Sequence, residues 1–183
     1  MIYYAGIGSR ETPNEILKVF EDIGYFLAQS SFTLRSGHAV VADMAFERGA
    51  DKAKGKKEIY LPWKGFEGST SDLVVNNPNA FETAEKFHTH WHNLKDGAKK
   101  LQARNSHQVL GQDLNTPSKF VICWTKGGKG QGGTGQALRI GEAYGIPIFD
   151  AGSYKDINEF KLDLYRYLID NNLVKIRQLL VKD

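Results

Sequence analysis

Ile2-Tyr3-Tyr4-Ala5-Gly6-Ile7-Gly8-Ser9-Arg10 is the stretch on which the fold turns. Its apolar, β-prone half runs straight into two glycines, the pattern of a buried strand that ends in a tight loop. A helix is expected next, with Thr12 as its cap and Pro13 in its first turn. Ile16, Val19, Phe20, Ile23, Phe26 and Leu27 then recur at helical spacing. The unit repeats downstream: a strand over 32–35, the turn Ser36-Gly37-His38, and a helix over 40–53 carrying Ala42, Ala45, Phe46 and Ala50, closed by Gly55. A third strand is expected over 58–63.

Residues 64–80 are rich in Gly, Ser, Asn and Pro and lack periodicity, which predicts a long surface excursion of the kind that usually serves function. One or two helices follow over 81–103, then an irregular connection over 106–116. The segment 119–124 is the most strand-like in the chain and is expected at the centre of the sheet. Residues 127–135 hold six glycines; a helix over 136–144 and a fifth strand over 146–149 come after them. A C-terminal helix is expected over 157–168, and a last helix or strand over 173–181. Alternating strands and helices predict an α/β fold with a mainly parallel sheet of five or more strands, covered on both faces. The whole of 1–183 is read as one domain, with a core over 1–150 and a helical extension over 151–183.

The chain's 183 residues, 41% of them hydrophobic, suffice for one sizeable core. No apolar run is long enough to span a membrane, and the first residues enter a glycine turn without the shape of a signal peptide, so a cytoplasmic protein is expected. The lone Cys123 lies in an apolar run and is expected as a buried thiol. A net charge of +3 suits an anionic ligand but falls short of the dense basic footprint of a dedicated DNA binder.

In a parallel open sheet the ligand crevice lies beyond the carboxyl ends of the strands. Four features fall there. Gly8, Ser9 and Arg10 offer close backbone approach and a guanidinium fork for phosphate, although a plain strand-to-helix turn needs the same glycines. Ser36, Gly37 and His38 precede Asp43 and Glu47, which share a helical face and either bind ribose hydroxyls, act as acid and base, or form surface ion pairs. Gly132, Gly133, Thr134, Gly135 and Gln136 stand at the N-terminus of the helix expected over 136–144, so free amides and the positive dipole end favour phosphate there. The absence of a Gly-Lys-Ser or Gly-Lys-Thr ending excludes a P-loop. Arg104 and Asn105 either clamp phosphate and ribose or cap the helix thought to end beside them.

His88, His90 and His92, with Glu85, are candidate metal ligands by residue type; helical spacing would turn His90 away from the other two, and no metal is expected. Trp63, Phe66, Trp91 and Trp124 are candidate base-stacking groups, with core packing as the commoner fate of such residues. No cofactor is called for.

Gly8-Ser9-Arg10, Ser36-Gly37 through Ala42-Asp43 and Glu47-Arg48-Gly49-Ala50, and Gly132-Gly133-Thr134-Gly135 together resemble the loops of the SLOG superfamily over about residues 1–150. That Rossmann-like group includes the DNA-processing protein DprA (Smf) and the LOG, or lysine-decarboxylase-like, phosphoribohydrolases. Residues 100–124 also resemble small DprA-like proteins often encoded by phages. The resemblance implies a Rossmann-like three-layer domain, a nucleotide-derived ligand and a homodimer or higher homo-oligomer. LOG-type hydrolases have a glutamate after the glycine turn; Gln136, Ala137, Leu138 and Arg139 stand there instead. His38, Val40 and Val41 also replace the small or turn-forming residues common in the second motif.

The leading expectation is therefore capture of a nucleotide or a nucleotide-derived signal, ADP-ribose-like or cyclic, with or without sequestration. The alternatives are DprA-like single-stranded DNA binding, and nucleoside 5′-monophosphate phosphoribohydrolysis by Arg104 with Glu142 or Glu47.

Overall fold

The computed structural model describes residues 1–180. Five strands, β1 (Ile2–Gly6), β2 (Phe32–Ser36), β3 (Lys57–Ile59), β4 (Val121–Cys123) and β5 (Ile148–Asp150), form one sheet in the order β3-β2-β1-β4-β5. Every pairing is parallel. This is a Rossmann-like α/β architecture. The central strand is β1, not the segment 119–124: apolar character reports burial and is silent on lateral order.

Strand alternation builds two core layers. Tyr4, Phe32, Leu34, Phe120 and Ile122 pack on one face with α1 (Asn14–Gln29), α2 (Ala42–Lys52) and α6 (Ile157–Asp170). Ala5, Ile7, Val121 and Cys123 pack on the other with α4 (Asp96–Leu110) and α5 (Gly132–Ala143). Cys123 is fully buried, which holds its thiol protonated. Gly6 and Gly24 sit where Phe46 presses on β1 and α1, and a side chain at either would strike it.

The crossover from β3 to β4 carries α3 (Pro78–Lys86) and α4. Its first part is ordered by Leu61, whose amide and carbonyl bond Leu73 and Val75. Helix α4 continues through Ser106 to Leu110, where an irregular connection was expected. Ser106, His107 and Gln108 are buried polar residues that a surface loop would not need. The Ser106 hydroxyl donates to the Ala80 carbonyl, and the His107 ring stacks on Tyr60.

Other boundaries also move. Pro13 occupies the cap position of α1, while the Thr12 hydroxyl donates to the Ser9 carbonyl at 2.6 Å. Lys54, with φ 52°, takes the left-handed position that ends α2, a role expected of Gly55. Helix α5 starts at Gly132, so its glycines form the first turn and do not merely precede it. The final segment holds α7 (Ile176–Leu179); the last residue of the expected 173–181 element, like 182–183 of the domain, lies outside the described residues. Among the described residues no helix is long and apolar enough to cross a membrane.

Candidate functional site

Between β1 and β4 the chain changes direction across the sheet, sending α1 to one side and α5 to the other. At the carboxyl ends of these strands lies a cleft of about 330 Å³, where doubly wound sheets hold their ligands. One wall is the loop Gly8-Ser9-Arg10. The opposite wall is the first turn of α5, with Gly132, Gly133 and Thr134.

Each wall is built by local chemistry. The Ser9 amide donates to the Trp124 carbonyl at 3.2 Å, tying the first loop to β4, and the Ser9 hydroxyl accepts from the Glu11 amide at 3.1 Å. Gly8 is required for contact: a Cβ there would lie 2.6 Å from that of Ala42. Arg10 is exposed and makes no ion pair or hydrogen bond with a described residue. Across the cleft, the Asp150 carboxylate accepts from the amides of Thr125 and Gly152 at 2.9 Å and from the Thr125 hydroxyl. Thr125 in turn accepts from the Gly130 amide at 3.0 Å. The glycine-rich run is thus an ordered turn leading into α5. No side chain caps that helix, and the geometry of a helix start leaves its first amides without intrahelical partners.

The floor comes from α4. Leu101, Arg104, Asn105 and Gln108 recur at helical spacing and all face the cleft. Asn105 bridges to α5, its amide donating to the carbonyl of Gly133 at 3.1 Å and to Gln136 Oε1 at 3.3 Å. The Arg104 Nη1 donates to the Gly37 carbonyl at 2.5 Å, Nε donates to Asn105 Oδ1 at 3.2 Å, and the guanidinium lies 5.6 Å from the Phe66 ring centre. Asp43 closes the floor from α2; its Oδ2 accepts from the amides of Gly37 at 3.1 Å and Ala39 at 3.4 Å. Burial pushes the Asp43 carboxyl up to about 6, against the pull of Arg104 and the two amides. Burial likewise lowers Arg104 from its ordinary value, with Asp43 opposing.

Of the residues singled out by sequence, Gly8, Ser9, Arg10, Asp43, Arg104, Asn105, Gly132, Gly133 and Thr134 line this cleft. Four others support it from behind, and a fifth does not. Ser36 donates to the Gly6 carbonyl at 2.6 Å, joining the ends of β2 and β1. Gly37 leaves room for Arg104 and Gln108, and Gly135 for the Gly130 carbonyl. Gln136 is fully buried, fixing α5 to α3 through the Ala84 carbonyl. His38, at φ 54°, is not among the cleft's lining residues and pairs with Glu47 in a neighbouring groove.

Glu47 and Glu142, the acids considered for hydrolysis, are not at the cleft. Glu47 holds His38 Nδ1 at 2.7 Å and Lys57 at 3.4 Å in a neighbouring groove. Glu142 is exposed beside Lys129 and Arg139, toward β5. Asp43 and Glu47 lie one turn apart on α2, but the 37–41 loop separates their surroundings. Arg104 and Asn105 do not cap a helix end, because α4 runs two turns further than the sequence suggested.

Gln108, Leu101, Gln102 and Ala39 were missed as lining residues. The i, i+3, i+4, i+7 spacing of 101, 104, 105 and 108 was the available signal, hidden once the helix was stopped at 103. Among the aromatic candidates Phe66 alone reaches the cleft; Trp91 is packed in a core between α3 and α4, Trp124 against the main core, and Trp63 on Phe66. His88, His90 and His92 fall in the turn between α3 and α4, where His88 Nδ1 accepts the His90 amide and His92 approaches Glu85 at 3.5 Å. No group of three or more metal-ligating side chains occurs among the described residues.

No family model, curated protein or solved structure matches the chain.

Proposed function

We propose that the protein captures a nucleotide or nucleotide-derived ligand, ADP-ribose-like or cyclic, in the cleft between β1 and β4. One observation carries the reading: the uncapped first turn of α5 and the unpaired Arg10 face each other across a cleft at the point where strand order reverses. Backbone amides and a guanidinium suit an anionic group, and the helix dipole adds to the attraction. Phe66, Leu101 and Ala39 supply apolar surface for a base. The likeness of the three glycine loops to those of the SLOG superfamily supports the same reading. With Glu47 and Glu142 outside the cleft, binding without turnover is the function favoured over hydrolysis.

Calorimetric titration with nucleoside mono- and diphosphates, cyclic nucleotides and ADP-ribose tests the proposal. At least one binds with micromolar or tighter affinity, and Arg10→Ala weakens it about tenfold, the worth of one charge-assisted contact. No binding across the panel, or unchanged affinity in Arg10→Ala, overturns it.

A further inference from the structure

Three side chains on the cleft floor are almost fully buried and yet keep a polar atom without a partner: Asp43, Arg104 and Gln108 are 3%, 5% and 2% exposed. Asp43 spends Oδ2 on the amides of Gly37 and Ala39, leaving Oδ1 unbonded. Arg104 spends Nε and Nη1 on Asn105 and on the carbonyls of Gly37 and Tyr60, leaving Nη2. Gln108 makes no hydrogen bond to a described residue through its carboxamide. None of these atoms is among the described buried groups that lack both a partner and solvent, which are Tyr4 Oη and Thr33 Oγ1 alone. They therefore open into the cleft that all three residues line. Buried polar atoms in native proteins are hydrogen-bonded, so this set is shaped for an incoming group that both donates and accepts.

We propose that this group is a ribose diol, and that Asp43 makes the cleft selective for ribonucleotides over 2′-deoxyribonucleotides. The inference rests on the nucleotide reading above. Each hydroxyl of a vicinal diol donates one hydrogen bond and accepts others. A carboxylate oxygen and a guanidinium nitrogen that line one cleft answer both needs. Position points the same way. The first turn of α2 abuts the first glycine loop, since a Cβ on Gly8 would lie 2.6 Å from that of Ala42, the residue before Asp43. A phosphate held on that loop and on α5 places the attached sugar, not the more distant base, beside Asp43.

The experiment pairs each binding member of the nucleotide panel with its 2′-deoxy form, at neutral pH, in wild type, Asp43→Asn and Arg10→Ala. The asparagine keeps an oxygen for the amides of Gly37 and Ala39, and thermal melting confirms that the variant folds. The ribonucleotide binds wild type at least about tenfold more tightly than its deoxy partner, as loss of a hydrogen bond to a charged acceptor requires. Asp43→Asn erases that preference, while Arg10→Ala weakens both forms equally and keeps it. Equal affinity of the two forms for wild type overturns the ribose assignment and leaves nucleotide binding standing. So does an Asp43→Asn variant that changes which base is preferred but keeps the preference for the ribo form. Failure of every nucleotide to bind overturns both.

Discussion

Asp43 is ionisable, buried and held by two backbone amides, so its charge state couples to the stability of the fold. Its carboxyl rises from an ordinary value of 3.8 to about 6 because burial disfavours the anion. Between those values the folded chain keeps a proton that the unfolded chain has released, so stability falls as pH rises through the window. The change amounts to about 3 kcal/mol. Asp43→Asn cannot titrate, so its melting temperature rises relative to wild type from pH 4 to pH 6 and then stays level; parallel curves would show that Asp43 carries no such shift. Gly37 shows a second dependence at this scale. A Cβ there would collide with the ends of Arg104 and Gln108, both flexible side chains, while the backbone is spared. Gly37→Ala is expected to cost about 1–2 kcal/mol in denaturant unfolding, and to lower nucleotide affinity at least tenfold by displacing the floor.

Helix α5 depends on a contact that leaves no slack. A Cβ at Gly135 would strike the Gly130 carbonyl oxygen, a backbone atom fixed through the Thr125 and Asp150 hydrogen bonds. Gly135→Ala must shift the helix start or break the turn, and we expect about 2–3 kcal/mol of lost stability in urea, together with weaker nucleotide binding. Elements of this kind differed in how well they could be read from sequence. Strand β1 was legible because a continuous apolar run met a glycine turn, and β2 because Phe32 and Leu34 stand just before the turn at Ser36-Gly37. The start of α5 was not, since six glycines argue for a turn until tertiary bonds order them. Helix α4 was cut short because Ser106, His107 and Gln108 look like loop residues, and only the partners of the first two, Ala80 for Ser106 and Gly111 and Tyr60 for His107, show why the stretch is buried. The grouping of Asp43 with Glu47 was legible as a shared helix face. Which cavity each would enter was not, because that depends on the positive φ of His38 and Val41 in the intervening loop.

The strand order β3-β2-β1-β4-β5 puts both cleft walls at one point of the molecule and the discarded acids elsewhere. Glu47 and Glu142 line two other grooves. Glu47→Gln and Glu142→Gln are therefore expected to leave nucleotide affinity within about twofold of wild type, since neither side chain lines the cleft and the exposed Glu142 charge is in addition screened by salt. A tenfold loss in either would relocate the site.

The same strand order has a consequence for synthesis. The first cleft wall follows β1, the floor comes from α4 and the last wall is residues 132–134, so the site joins segments from far apart along the chain. During translation β1 emerges early and must wait for β4 to fill its open edge. A nascent chain ending before Gly132 has Arg10 but nothing across from it, and the cleft is complete only when the second half of the sheet has docked.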